Sequence, residues 1–247
     1  VNRMVFILCL LYNKMPDVAI CYWGMSRSTR HVYQSHYKHI FDILKNAGLS
    51  YDTYFHTWDV NVNIIWDWIS DVLPDKDEYK FLQPTKYKVE NQDEFLSTID
   101  MADYFSHEDA RSGKDWNIHL VRNHLCALQS QKRVTQMMLD SGKTYTHVLY
   151  VRPDVEIEVD LPLDILQNLK PKHIAIPDFD HWEGYNGRGA ILRFEDCVPY
   201  SHRINEIKEF RKNISYITSE KYTKYIVDKY YTFVPMPFKF DIIRPKA

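Results

Sequence analysis

The sequence has little of what defines several protein classes. Its 247 residues include only 7 glycines, which argues against a repetitive β architecture with many tight turns. The four cysteines, Cys9, Cys21, Cys126 and Cys197, are widely spaced and form no CxxC pair. Small secreted scaffolds pack cysteines densely, so this spacing reads as a reduced, soluble, cytoplasmic chain. Charge of neither sign dominates: the formal net charge is −2, which gives no global basic field to attract nucleic acid or anionic membrane. The apolar run Val5 to Tyr12 (VFILCLLY) is far shorter than the roughly 20 residues a spanning helix needs. Arg3 precedes it as in a signal peptide, but no small-residue cleavage site follows, so residues 1–15 read as an N-terminal extension. The 11 histidines show neither HExxH nor HxH spacing, and His36 and His39 share a helix face without a third ligand nearby. No internal repeat or low-complexity tract is visible.

What is present is ordinary globular usage, 45% hydrophobic and 26% charged, in a chain long enough to bury a core without disulfide or metal staples. Aromatic content is high at 15%, with 18 tyrosines. Such rings either fill cores or stack on sugars and bases.

Val18 to Trp23 (VAICYW) is a continuous apolar run of strand length, the mark of a strand buried on both faces. Gly24-Met25-Ser26-Arg27-Ser28 follows. A helical pattern then runs to Asn46, with Val32, Tyr33, Ile40, Ile43 and Leu44 as its apolar stripe. Strand, glycine turn and helix open a nucleotide-binding α/β unit. Tyr51 to Trp58 reads as a second strand, and residues 60–115 as short helices and functional loops. From Trp116 to Leu139 the spacing of Ile118, Val121, Leu125 and Leu128 predicts a long helix with one buried face. Strands follow at 145–151, 174–177 and 189–194, helices at 202–212 and 219–229, and a closing strand pair within 233–243. Alternation without a clean linker predicts one α/β domain over residues 16–247, with a mixed, mostly parallel central sheet flanked by helices. Its first half is expected over about 16–156 and its second over about 157–247.

The segment Tyr150-Val151-Arg152-Pro153-Asp154-Val155-Glu156 carries the chemistry. A buried strand ending in an acidic turn puts carboxylates at the carboxyl edge of a sheet, where open α/β folds bind ligands. Hard cations such as Mg²⁺ or Mn²⁺ favour such oxygen ligands alongside substrate phosphates, although Pro-Asp also marks an ordinary turn.

Three segments in order, ICYWGMSRS, SQKRV leading into VRPDVEI, and PDFDHWEGYNGRGAI, resemble GT-A-type glycosyltransferases. The likeness extends to SEKYTKYI and IIRP, and is greatest to small members from large DNA viruses of algae (chlorella viruses) and amoebae. It implies a single GT-A-like, Rossmann-like domain. The implied activity is transfer of a sugar from a nucleotide-sugar donor, such as UDP-xylose or UDP-glucose, to a hydroxyl of a glycan acceptor, in virus glycan synthesis. In such folds the strand ends in Asp-x-Asp, whose carboxylates hold the metal against the diphosphate. Here Arg152 stands at the first position and Asp154 at the second. The resemblance therefore implies Asp154 as metal ligand with Glu156 as helper, and Mn²⁺ or Mg²⁺ as cofactor. Arg152 either forks onto phosphate or is tied to Asp154.

On the donor side the resemblance implies Gly24, where the backbone approaches the nucleotide, and Arg27 at the following helix start. It also implies His56 at the end of the second strand, and Lys132. Lys132 continues the apolar series of its helix, so it either snorkels to the surface or reaches into a ligand pocket. An inverting transfer needs a base for the acceptor hydroxyl, and the loop used for this in the family implies Asp180, then Asp178. Trp182, Glu183 and Tyr185 in the same loop are the implied acceptor contacts. Gly187 replaces an Asp that usually follows Asn186 in the family. The missing first Asp and Gly187 also fit a non-catalytic nucleotide-sugar or carbohydrate-binding protein of the same fold. A nucleotidyltransferase needs a longer glycine-rich loop than GMSRS.

Overall fold

The computed structural model describes residues 17–60, 75–106, 117–214 and 217–244. The expected extension over residues 1–15 lies outside them. In chain order the elements begin with β1 (Val18–Trp23), α1 (Thr29–His36), one π turn (Tyr37–Phe41), α2 (Asp42–Asn46) and β2 (Tyr51–Asp59). Then come β3 (Lys86–Asn91), α3 (Gln92–Leu96), α4 (Ile118–Leu139), β4 (His147–Val151), β5 (Val155–Ile157) and α5 (Leu163–Asn168). The remainder is β6 (His173–Pro177), β7 (Gly189–Arg193), α6 (Cys197–Ser201), α7 (Ile207–Lys212), α8 (Ser219–Tyr230), β8 (Thr232–Met236) and β9 (Phe240–Ile242).

Seven strands form one sheet in the order β3-β2-β1-β4-β7-β6-β8, and β5 pairs with β9 in a separate ribbon. Neighbours are parallel except around β7, which is antiparallel to both β4 and β6. The expected mixed, mostly parallel α/β architecture is what the chain adopts.

Side-chain alternation along β1 builds two cores. Ala19, Cys21 and Trp23 face one side with Val121, Leu125 and Leu128 of α4. Val18, Ile20 and Tyr22 face the other with Ile40 and Leu44 of the first helical segment. All six β1 residues are buried, which explains the unbroken apolar run; each fully buried aliphatic side chain stabilises by roughly 1.5–3 kcal/mol. Because α1–α2 and α4 cover opposite faces, the chain diverges between β1 and β4 and leaves a crevice at their carboxyl ends.

Two strand expectations need correction. The closing segments do not pair with each other: β8 joins β6 at the sheet edge and β9 joins β5. Pro235 lacks a ladder donor and suits an edge strand. Pro237 follows it, and β9 starts three residues further on. The other correction is β3, within the stretch read as loops and short helices. Its Lys86 and Lys88 are exposed, as edge strands commonly are, and this masked its pattern.

Candidate functional site

A cleft of about 290 Å³ opens where β1 and β4 end. Trp23, Gly24, Met25 and Arg27 after β1, Arg152 after β4, and Ile242 and Arg244 near the C-terminus form one wall. Leu120, Asn123, His124 and Ala127 of α4, with Trp58 and Gln92, form a second. Gly187, Arg188 and Arg203 form the third with Ser219, Glu220 and Thr223 from the first turns of α8. Among the described lining residues there are five arginines and a single carboxylate, Glu220. The field in the cleft is therefore positive although the chain is not.

Gly24 turns the chain out of β1 with φ of +100°, a conformation that disfavours any side chain. Its N–H donates to Ser130 Oγ at 2.8 Å, and Ser130 Oγ lies 2.7 Å from His56 Nδ1. His56 Nε2 lies 2.8 Å from Glu90. A carboxylate only accepts, so the ring carries its proton on Nε2 and Nδ1 accepts from Ser130. Burial lowers the His56 pKa despite Glu90, which keeps the ring neutral. His56 is fully buried and is not part of the cleft lining. The expected base or ribose contact is thus replaced by a relay, Glu90–His56–Ser130, that fixes the Gly24 turn.

The Arg-Pro-Asp turn after β4 forms a buried knot. Arg152 Nε donates to Asp154 Oδ1 at 2.8 Å and its Nη2 to Oδ2 at 2.6 Å. Arg27 Nε and Nη2 donate to the same Oδ2 at 3.1 and 2.9 Å. Burial alone raises the Asp154 pKa, but the charges and hydrogen bonds of Arg152 and Arg27 outweigh it and hold the carboxyl well below its usual range. Of the two roles open to Arg152, the tie to Asp154 is present, while its guanidinium still lines the cleft.

These residues do not fit a divalent ion. Asp154 has no exposed surface and both its oxygens are engaged by guanidinium groups. Glu156 lies on β5 between buried Val155 and Ile157 and points outward, exposed. No group of three or more His, Cys, Asp or Glu among the described residues is placed to hold a metal. The expected Asp154–Glu156 metal pair is therefore not assembled, because Arg152 and Arg27 together neutralise Asp154.

The loop of residues 178–188 borders the cleft without filling it. Asp178 and Asp180 are exposed and neither lines the cleft; Asp180 Oδ2 accepts from Arg188 Nη1 at 2.8 Å. Trp182 is 69% exposed, and Glu183 pairs with Lys221 at 2.6 Å. Tyr185 stacks on Phe233 with ring centres 4.4 Å apart. At Gly187 a Cβ would lie 2.6 Å from Thr223 Oγ1, so a side chain there would push the loop off α8. Lys132 does not reach the cleft lining either; its ammonium donates to Asn205 Oδ1 at 2.9 Å. Of the residues singled out from the sequence, Gly24, Arg27 and Arg152 come together in the cleft.

Sequence reasoning missed Glu220, Arg188, Arg203 and Arg244. Glu220 and Arg244 sit within SEKYTKYI and IIRP, segments that carried the resemblance without a role attached. Arg203 had no local signal, since its burial depends on contacts with Gln131 and Tyr200, the former 72 positions away.

No protein-family model matches the chain, and no curated protein matches it. Among solved structures it is similar to the apo-form glycosyltransferase GlyE of Streptococcus pneumoniae TIGR4, with 12% identity and a TM-score of 0.42. That match covers 89% of this chain and 45% of GlyE, so the chain spans less than half of that protein's length. It is also similar to the apo form of mouse xyloside xylosyltransferase 1, with 10% identity, a TM-score of 0.46, and coverage of 89% and 84%. With TM-scores below 0.5, the functional reading rests on the chain's own residues. No helix among the described residues is long and apolar enough to cross a membrane.

Proposed function

We propose that the chain is a glycosyltransferase that moves a sugar from a nucleotide-sugar donor, such as UDP-xylose or UDP-glucose, to a hydroxyl of a glycan acceptor with inversion. The observation that carries this reading is the arginine-lined cleft at the carboxyl ends of β1 and β4, with Glu220 as its one described carboxylate. Displacing a nucleoside diphosphate needs its developing charge neutralised. Arg152 and Arg27, held at fixed positions by Asp154, and the exposed Arg244 supply that charge in the wall nearest the sheet. Gly24 lets the backbone come close to the donor, and Trp58 and Gln92 flank the nucleoside end.

Glu220 takes the acceptor proton. It lines the cleft, whereas Asp180, the base candidate of the sequence, does not and acts at one remove by orienting Arg188. Asp178 lies further back, and Trp182 offers its exposed ring to the acceptor glycan.

Thermal-shift titration with UDP- and GDP-sugars, followed by transfer assays, tests the reading. A bound donor raises the melting temperature by mass action. Glu220→Gln is expected to keep that shift while transfer falls by about 10²–10⁴-fold, the usual contribution of a general base. Absence of any shift with nucleoside diphosphates or their sugars counts against the donor site. Binding without product in the wild type instead favours the non-catalytic binding protein.

A further inference from the structure

Arg203 is unlike the other arginines of the cleft. Arg27 and Arg152 share Asp154, Arg188 holds Asp180, and Arg244 is exposed. Arg203 is 1% exposed and makes no ion pair. Its Nη1 donates to Gln131 Oε1 at 2.5 Å and to the Tyr200 carbonyl at 2.7 Å, and its guanidinium carbon lies 4.2 Å from the centre of the Tyr200 ring. Nε is buried without an acceptor. Nε belongs to the Nε–Nη2 edge, the one that forks onto two oxygens in a plane.

Three side chains about Arg203 are neutral, and Glu220, the carboxylate of the same wall, makes no ion pair with it. His124 is held uncharged by burial and by Arg203 itself, with its pKa pushed down to about 3. The Tyr222 hydroxyl is committed to the Arg203 carbonyl, and the Thr223 hydroxyl to the Ser219 carbonyl. A buried guanidinium without a counter-charge is expensive, so its place in a cleft wall points to an anion supplied from outside. One buried guanidinium without an ion-pair partner matches one negative charge. A diphosphate, with more than one, is matched by the wall of Arg27, Arg152 and Arg244.

We propose that Arg203 forms a carboxylate subsite, which selects a substrate bearing a uronic-acid-type sugar. The inference rests on the glycosyl-transfer reading for the identity of that substrate. The carboxylate arrives on the sugar of the donor or on the acceptor, and the chemistry of recognition is the same: two parallel N–H···O bonds from Nε and Nη2.

Calorimetric titration of wild type, Arg203→Gln and Arg203→Lys separates these cases. The donor arm compares UDP-glucuronic acid with UDP-glucose, which differ in a carboxylate against a hydroxymethyl group. The acceptor arm compares methyl glucuronide with methyl glucoside in the presence of UDP. In one arm the wild type is expected to favour the acid by about tenfold or more, as for a hydrogen bond between charged groups. Arg203→Gln should abolish that preference and leave UDP and the neutral sugar unaffected. Arg203→Lys keeps the charge without the fork and serves if the glutamine variant does not fold; it should lower the preference without changing UDP affinity. No preference in either arm overturns the proposal, as does a preference that survives substitution. Equal weakening of UDP, UDP-glucose and UDP-glucuronic acid also overturns it, because Arg203 then holds the diphosphate. Binding of methyl glucuronide by a protein that binds no nucleotide keeps the carboxylate subsite and removes the donor reading.

Discussion

Two arginine–aspartate pairings border the cleft, and they differ in almost every physical respect. At the strand ends, Asp154 has no exposed surface and is gripped by Arg27 and Arg152 together. At the rim, Asp180 is 45% exposed and meets Arg188 alone. The strand-end pair grows out of a fully buried β4. The rim pair sits in a loop where Asp180, Trp182 and Glu183 all adopt positive φ, at 53°, 41° and 65°. The same two residue types therefore build a buried wall in one place and a solvated edge in the other. What separates them is desolvation: in the buried knot each charge depends on its partners, whereas at the rim water can replace either one.

The largest expected effect comes from breaking the buried knot. Asp154→Asn leaves two partly buried guanidinium groups without their shared counter-charge and should destabilise the protein by about 3 kcal/mol, read by urea unfolding. The acid side gives the sign. The Asp154 pKa is lowered on folding, so its contribution is complete above the unfolded carboxyl value of roughly 3.9 and is lost as pH falls below it. The stability gap between wild type and Asp154→Asn should accordingly be constant near neutrality and narrow in acid. A gap that is small at neutral pH would show that the knot is not the rigid wall described here.

How much of this was readable in the sequence follows the same division. β1, β2, α4 and α8 were legible because burial on one or both faces imposes a period on the residue types. Gly24, Arg27 and Arg152 were legible because a strand-end turn sits where an open sheet binds ligands. The fate of Asp154 was not, since its second guanidinium comes from 127 positions away. His56 and Lys132 illustrate the converse. Each stands at a position next to the cleft in the linear pattern, yet the hydrogen bonds to Ser130 and Asn205 that turn them aside come from other elements. The residues of the loop 178–188 are aromatic and acidic in the sequence. That its aromatic Tyr185 is taken up by Phe233 depends on β8, an edge strand whose place in the sheet is a tertiary fact.

A smaller effect is expected at the rim. Asp180→Asn removes a partly solvated ion pair and should change stability by only about 0.2–1 kcal/mol, measured by the same unfolding experiment. Its effect on transfer separates the two regions further. If Asp180 only orients Arg188, the substitution lowers transfer far less than Glu220→Gln does and leaves the pH profile of transfer unchanged. A loss equal to that of Glu220→Gln would return the base role to Asp180.

The smallest effect is expected from chelation, and it bears directly on the buried knot. For a divalent ion to use Asp154, it must take an oxygen from a carboxylate that has no exposed surface and is already held by four N–H···O bonds. The ion would leave Arg27 and Arg152 unpaired in the same step, bringing three like-signed cations together around one carboxylate. Under the proposed function, the arginines supply the positive charge that a metal would bring to a diphosphate. Donor affinity and transfer are therefore expected to be unchanged by EDTA and by added Mn²⁺, in titrations run with and without each. A strict requirement for Mn²⁺ would mean that the knot opens when the donor binds. In that case Asp154 would behave like the solvated edge of the cleft.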